Sequence, residues 1–140
     1  MTALDQEKKM DRLINGLELL NQLLPQGSLP FAFRVLLDAG VEKITFKDGQ
    51  NAMWLLGVPG ACNIERKQID LDLGMDTKKA AEGIYKRHLI SVNSSEEVAL
   101  WILFHECGHI ACGLSQEAAE RFALQKFLEF KKSKCVLPFQ

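Results

Sequence analysis

The chain lacks the features that mark secretion, membrane insertion or nucleic-acid binding. Residues 1–20 contain no continuous apolar run, and no later stretch approaches the roughly 18 apolar residues of a membrane span. The formal net charge is −1, without a basic run or an acidic tail, so charge does not indicate nucleic acid or an anionic membrane as a partner. We therefore expect a cytoplasmic protein that binds neither.

Cysteine pairs of the C-x-x-C type are also absent. None of the four cysteines lies in such a pair, which argues against a zinc ribbon and a thioredoxin-like redox site. Without an export signal the thiols are expected to be reduced. We expect Cys107, on a strongly apolar segment, to be a small core residue.

What the chain does have is enough apolar sequence for one domain with a sizeable core. Of its 140 residues, 47% are hydrophobic and 25% are charged, an ordinary globular mixture. No internal repeat is present. The patterns predict a single α+β domain over 1–140, with helices in 1–40, a small antiparallel or mixed sheet in 41–74 and two helices in 94–130.

The helices of the first part are indicated by periodicity. Residues 4–24 repeat leucine at helical spacing, which predicts an amphipathic helix. "FAFRVLLDAG" predicts a short helix that ends at Gly40. "DTKKAAEGIYKRHL" predicts a short helix or an irregular connection, with Asp76 as a candidate N-cap.

The middle of the chain has strand patterns. The Asp48-Gly49 pair between two apolar runs predicts a hairpin. Further on, "ACNIERKQIDLDLG" contains a period-two alternation that predicts a strand with one wet face. The apolar positions are Ile69, Leu71 and Leu73, and the polar ones are Gln68, Asp70 and Asp72.

The last part predicts two helices. "NSSEEVALWILFHECGHIACG" has Ser94 or Ser95 as a cap, glutamates in the first turn and a closing Gly113. "SQEAAERFALQKFLEF" predicts a helix that restarts at Ser115, and "KKSKCVLPFQ" predicts a tail.

The first of these helices carries H-E-x-x-H at His105, Glu106 and His109. A spacing of four places the two imidazoles one turn apart on one face, where both can reach one ion. Zinc binds imidazole nitrogens, and Glu106 is placed to take a proton from the water that attacks a carbonyl. The pattern predicts a zinc-dependent hydrolase, and the alternative is a core helix with two hydrogen-bonded histidines.

A catalytic zinc site needs a third protein ligand, for which Glu117 and Glu120 are the candidates. On a helical wheel of 117–130, Glu120 lies near the middle of the apolar arc and Glu117 at its edge. A carboxylate that faces the core requires a cation, so Glu120 is favoured. The alternative for either is a solvated glutamate or a cap in the first helical turn.

These residues resemble the ImmA/IrrE family of small zinc peptidases. Members read HELGH on one helix and E-x-x-A-N-x-F-A on a returning helix, and here "HECGH" matches the first pattern and "AAERFAL" much of the second. The resemblance covers roughly 61–130 and implies a zincin-like fold with bound Zn2+. It also implies that "KQIDLDL" is an edge strand that binds an extended substrate by strand addition.

The family pattern is not matched at every position. Aligning on "RFA" places Gln116 where the family has its ligand glutamate, and Glu120 where it has Asn or Asp. Either the loop shifts the register so that Glu120 or Glu117 binds the metal, or the site is weakened. Such families also supply a Tyr or His that stabilises the oxyanion, for which Tyr85 and His88 are candidates, with surface positions as the alternative.

Two functions follow from the resemblance. The first is a zinc-dependent peptidase that cuts a protein or peptide substrate, with a transcriptional repressor suggested by analogy. The second is a peptidase-derived binding or regulatory module of a phage or mobile element, which keeps the fold and does not cleave. A purely structural domain without metal is the third interpretation.

Overall fold

A computed structural model describes residues 24–47, 60–72, 77–92 and 94–135. The helix predicted over 4–24, except its last residue, and the features at Asp48-Gly49, Leu73 and Asp76 lie outside these ranges. Within them the order is α1 (Leu29–Ala39), β1 (Lys43–Lys47), β2 (Gly60–Asn63), β3 (Gln68–Asp72), α2 (Thr77–His88), α3 (Ser95–Cys112) and α4 (Gln116–Cys135). The described part is therefore α+β, as predicted.

Helix α1 ends where glycine allows the chain to turn. Gly40 has φ 89°, and its N–H donates to the carbonyl groups of Leu36 and Leu37. A left-handed conformation at this position favours glycine because it has no Cβ. The predicted helix end at Gly40 is confirmed.

The three strands form a mixed sheet in the order β1-β3-β2. β3 pairs in parallel with β1 and antiparallel with β2. Because β3 is hydrogen-bonded on both sides, the prediction that "KQIDLDL" is an edge strand open to substrate is wrong. An extended peptide cannot pair with a strand that already has two neighbours.

The segment predicted to contain one strand contains a hairpin. The turn over 64–67 joins β2 to β3, with Lys67 at φ 53° and the Asn63 side chain accepting the Arg66 N–H at 3.0 Å. The predicted alternation holds within β3, since Ile69 and Leu71 are buried. On the opposite face, Asp70 is half-buried rather than solvated, and it accepts hydrogen bonds from Thr45 and Gln68.

Helix α3 is the central element, with contacts to α1, α2, α4, β2 and β3. It begins after Ser94, whose Oγ accepts the Glu97 N–H at 3.1 Å, and it ends at Gly113. A serine cap satisfies one of the otherwise unpaired N–H groups of the first turn. Of the two predicted caps, Ser94 is therefore the residue that caps α3.

Helix α4 returns along α3 at very short range. A Cβ built on Gly108 would lie 2.8 Å from the Ala119 Cα, so the two backbones approach as closely as their residues permit. Ser115 caps α4 by accepting the Ala118 N–H at 3.1 Å. This packing fixes which residues of α4 lie beside the H-E-x-x-H segment.

The tail predicted after Phe130 is wrong for 131–135, because α4 continues to Cys135. Lys131 makes an ion pair with Glu97 at the start of α3, and its Nζ lies 5.7 Å from the centroid of the Phe127 ring. These contacts extend the helix beyond its apolar stretch. Residues 136–140 lie outside the described part.

The core lies between α3, α4, α1 and the sheet. Its largest fully buried side chains on the helices include Trp101, Phe104, Phe127 and Phe130. Cys107 is buried among them, as predicted. None of the helices in the described ranges is long and apolar enough to cross a membrane.

Candidate functional site

The two motif histidines lie on one face of α3. The ring centroids of His105 and His109 are 5.0 Å apart, with 75° between the ring planes. His109 is buried and His105 is half-buried. The spacing of four thus brings both imidazoles together, as the helix period requires.

The Nε2 atoms of His105 and His109, the inner nitrogens of the pair, face one atom of α4. His105 Nε2 lies 3.0 Å and His109 Nε2 lies 3.2 Å from Gln116 Oε1. Gln116 is the first residue of α4, and the short connection over 113–115 brings it back over the end of α3. The residue beside both rings is therefore the one that stands at the family's ligand glutamate in the alignment.

The Nδ1 atoms of the two rings, the outer nitrogens of the pair, are hydrogen-bonded to acceptors of the protein. His109 Nδ1 donates to the Gly113 carbonyl at 2.9 Å, and His105 Nδ1 donates to Glu120 Oε2 at 2.5 Å. A carbonyl and an ionised carboxylate can only accept, so Nδ1 carries a proton in each ring. In the neutral form of the two rings, both Nε2 atoms present lone pairs to the same place, the Gln116 side-chain oxygen.

An amide oxygen opposite two lone pairs is an incomplete arrangement. Three acceptors that face one another need protons or a cation between them, unless the amide turns its NH2 group towards the rings. Histidines that bind metal in proteins usually show this pattern, in which the outer N–H is fixed by an acceptor and the inner nitrogen is left free. The geometry therefore suits a cation at the inner nitrogens.

Glu120 lies at the outer side of His105. Its Oε2 accepts from His105, while its Oε1 accepts from Arg87 Nε at 2.8 Å and from His88 Nε2 at 3.0 Å. Burial raises the pKa of Glu120, but the hydrogen bonds from His105, His88 and Arg87 outweigh it and lower the pKa to about 2. The structure thus brings Glu120 to His105 without bringing it between the two imidazoles.

The set His105, His109 and Glu120 does not surround a common point. Across residues 24–47, 60–72, 77–92 and 94–135, no group of three or more His, Cys, Asp or Glu side chains is arranged to hold a metal ion. Glu117, the other candidate ligand, is 83% exposed and pairs with Arg121 on the surface. The third donor beside the inner nitrogens is the amide of Gln116. Glutamine is not one of the four residue types His, Cys, Asp and Glu.

Glu106 is 6% exposed and points to the sheet side of α3. It is hydrogen-bonded to the thiol of Cys62 on β2. Burial raises the pKa of Glu106, while the neighbouring His105 and His109 lower it by a smaller amount. Burial and then the charge of Glu106 raise the pKa of Cys62 to about 12, so this thiol is protonated and can donate to the carboxylate.

The two candidate oxyanion residues both belong to α2 but have different positions. Tyr85 is 52% exposed and lines an open groove between α2 and the start of α3. His88 is half-buried, with its ring 5.3 Å from that of Trp101 and its Nε2 on Glu120. Of the two, only His88 is connected to the motif.

Sequence reasoning did not find Arg87 or Cys62 as neighbours of the site. Arg87 adjoins His88 in the last turn of α2, a place where basic residues are common for electrostatic reasons alone. Cys62 precedes the turn into β3 and has no motif of its own. Both reach the site through the tertiary fold, and no local pattern marks them.

Protein-family models, curated proteins and solved structures were compared with the chain, and none of them matches it. The likeness to the ImmA/IrrE peptidases therefore depends on the residues quoted above. This likeness supports a hypothesis about function.

Proposed function

We propose that this chain is a zincin-like, zinc-dependent peptidase in which His105, His109 and Gln116 hold the metal and Glu106 is the catalytic base. One observation carries the proposal: both Nε2 atoms face a single oxygen, while both Nδ1 atoms donate to acceptors of the protein. A hydrogen-bonded core pair would not require the two inner nitrogens to share one neighbour.

The donor set is compatible with zinc. It consists of two imidazole nitrogens and one oxygen, the donor types of catalytic zinc sites, although an amide replaces the usual carboxylate. Glu120 is then a residue that orients His105, and the direct ligand on α4 is Gln116. The proposal therefore changes the assignment of Glu120 that the helical wheel favoured.

A bound zinc ion would polarise a peptide carbonyl and make water a better nucleophile. Glu106 takes the proton from the attacking water and passes it to the leaving amine. The buried position of Glu106 beside Cys62 limits the number of orientations of its carboxylate. By analogy with the family, the substrate is a protein or peptide in extended form, such as a transcriptional repressor, and the compartment is the cytoplasm.

Metal content of the purified protein tests this proposal. We expect one zinc ion per chain after zinc is supplied and excess metal is removed. His105→Ala and His109→Ala should abolish binding because each removes a nitrogen ligand, whereas Glu117→Gln should retain it because Glu117 lies on the surface. Wild-type protein that holds no metal would exclude the peptidase.

A binding or regulatory module that does not cleave is the second candidate, and Gln116 is the observation that favours it. An amide oxygen carries no net charge and attracts a divalent cation less strongly than a carboxylate. Glu106→Gln separates the two candidates, because it removes the base while changing little in size. A peptidase should lose cleavage with this change, and a module should keep its biological effect.

A further inference from the structure

We propose that the last turn of α2 positions the metal site, with His88 and Arg87 acting through Glu120 to hold the His105 ring in the orientation that binds metal. This inference depends on the proposed function for its metal-binding consequence. The geometric part, a fixed His105 ring, can be measured without metal.

The carboxylate of Glu120 is the shared element. Three donors use its two oxygens: His105 on Oε2, and both Arg87 and His88 on Oε1. A carboxylate held by several hydrogen bonds has little freedom to rotate, so the direction in which Oε2 meets His105 is set largely from α2. His105 Nδ1 must follow that direction, and this fixes where its Nε2 points.

His88 is the firmer of the two α2 contacts. Its side chain is only 16% exposed, and its ring packs at 5.3 Å from the buried ring of Trp101. Trp101 also precedes His105 by one turn of α3, so His88 is held against the same helix that carries the motif. A half-buried donor with a packed ring can impose a position on its partner.

Arg87 contributes less, although its bond to Glu120 is shorter. Its side chain is 51% exposed, so solvent and salt screen its charge. Directly after His88 the chain turns at Leu89, with φ 57° and its N–H on the Tyr85 carbonyl. This turn ends α2 at the point where its last two side chains reach Glu120.

The test compares zinc affinity and His105 geometry across four variants. We expect His88→Ala to weaken zinc binding about tenfold, the lower end of what outer-shell partners of metal ligands contribute. His88→Gln should restore much of the affinity, because its amide can donate to Glu120. Arg87→Ala should have a smaller effect, and Lys86→Ala, an exposed neighbour on α2, should have none.

A double-mutant cycle establishes whether His88 acts through Glu120. In a Glu120→Ala background, His88→Ala should cause little further loss of zinc affinity, because the connection is already broken. The absorption spectrum of the cobalt-substituted protein should change in His88→Ala and stay as in wild type in Lys86→Ala. A merely structural ion pair would lower stability without altering this spectrum.

Nitrogen NMR of the imidazoles in the metal-free protein provides the readout that is independent of metal. We expect His105 to be protonated at Nδ1 in wild type and to populate both tautomers in His88→Ala. Unchanged tautomers together with unchanged zinc affinity in a folded His88→Ala protein would overturn the positioning role. If wild-type protein binds no zinc but His88→Ala still changes the His105 tautomers, the proposed function is overturned and the positioning of His105 stands.

Discussion

At the scale of single residues, the identity of the third donor decides how strongly the site holds a cation. Gln116 Oε1 lies within 3.2 Å of both inner imidazole nitrogens and carries only a partial charge. A carboxylate at the same place would add a full negative charge beside the metal. Replacing the Gln116 amide by a carboxylate, which changes little in shape, should therefore change the affinity for zinc.

Gln116→Glu should raise zinc affinity by at least about 1.4 kcal/mol, which is about tenfold. The matched control is Gln125→Glu, an exposed position on the same helix that adds the same charge away from the rings. Competition with a chelator of known affinity measures both variants. Equal affinity in wild type and Gln116→Glu would show that residue 116 does not face the metal.

The contribution of the single residue Glu120 to stability should depend on pH. Because its pKa is lowered from 4.5 to about 2 in the folded protein, its stabilising effect is present above the unfolded value and is lost as pH falls towards about 2. Glu120→Gln removes this effect. The loss of unfolding free energy in Glu120→Gln should be greatest above pH 4.5 and should diminish below it.

Denaturant unfolding of the metal-free protein between neutral and acid pH checks this dependence. Glu117→Gln serves as the control, because Glu117 is exposed and pairs with Arg121 across one turn on the surface. Its effect on the free energy of unfolding should be small. A pH-independent effect of Glu120→Gln would mean that Glu120 is not held by its three donors.

At the scale of elements, the close approach of α3 and α4 places Gln116 and Glu120 beside the motif. A Cβ on Gly108 would lie 2.8 Å from the Ala119 Cα and 2.9 Å from the Ala119 carbonyl oxygen. Both are backbone atoms, so the helices must separate to admit a methyl group. Any separation moves the start of α4 away from the imidazoles.

Gly108→Ala should therefore lower the free energy of unfolding by about 1–3 kcal/mol, as overpacked cores do, and should also weaken zinc binding. Gly83→Ala is the control for stability, since the atom that a Cβ there meets among the described residues is the flexible end of the Arg87 side chain, at 3.1 Å. It should be neutral or stabilising, by up to about 1 kcal/mol, because alanine favours helices. Urea titration distinguishes the two results.

The other end of the α3–α4 pair is joined by Lys131 and Glu97. Glu97 is buried, while Lys131 keeps about a third of its side chain exposed. Replacing Lys131 by Met should cost about 1 kcal/mol of unfolding free energy, since exposure reduces the value of the pair. Lys132→Met, at an exposed neighbouring position, should cost little, and equal losses would exclude a role for the ion pair.

At the scale of the whole molecule, the helices and their ends were predictable because their signals are local. Glycine at position 40, serine at 94 and glycine at 113 mark helix boundaries through the backbone groups of their own turns. The H-E-x-x-H spacing likewise places two rings on one face without reference to any other element. These features needed no knowledge of the tertiary fold.

The order of the strands and the assignment of α4 residues were not predictable in this way. Alternation over Gln68–Asp72 is the same for an edge strand and a central one, and the turn over 64–67 has neither glycine nor proline. On the wheel, Glu120 faces the core, but the wheel does not show that His88 and Arg87 of another helix lie beside it. Distances between elements decide both questions.

The most direct test of the account is a crystal structure of the zinc-loaded protein with anomalous scattering data. We predict one zinc ion bound by His105 Nε2 and His109 Nε2 at about 2.0–2.1 Å, with the Gln116 side-chain oxygen as the third protein donor. Glu120 should remain on His105 Nδ1. Zinc bound by a Glu120 oxygen, or no zinc at the imidazoles, would contradict the account.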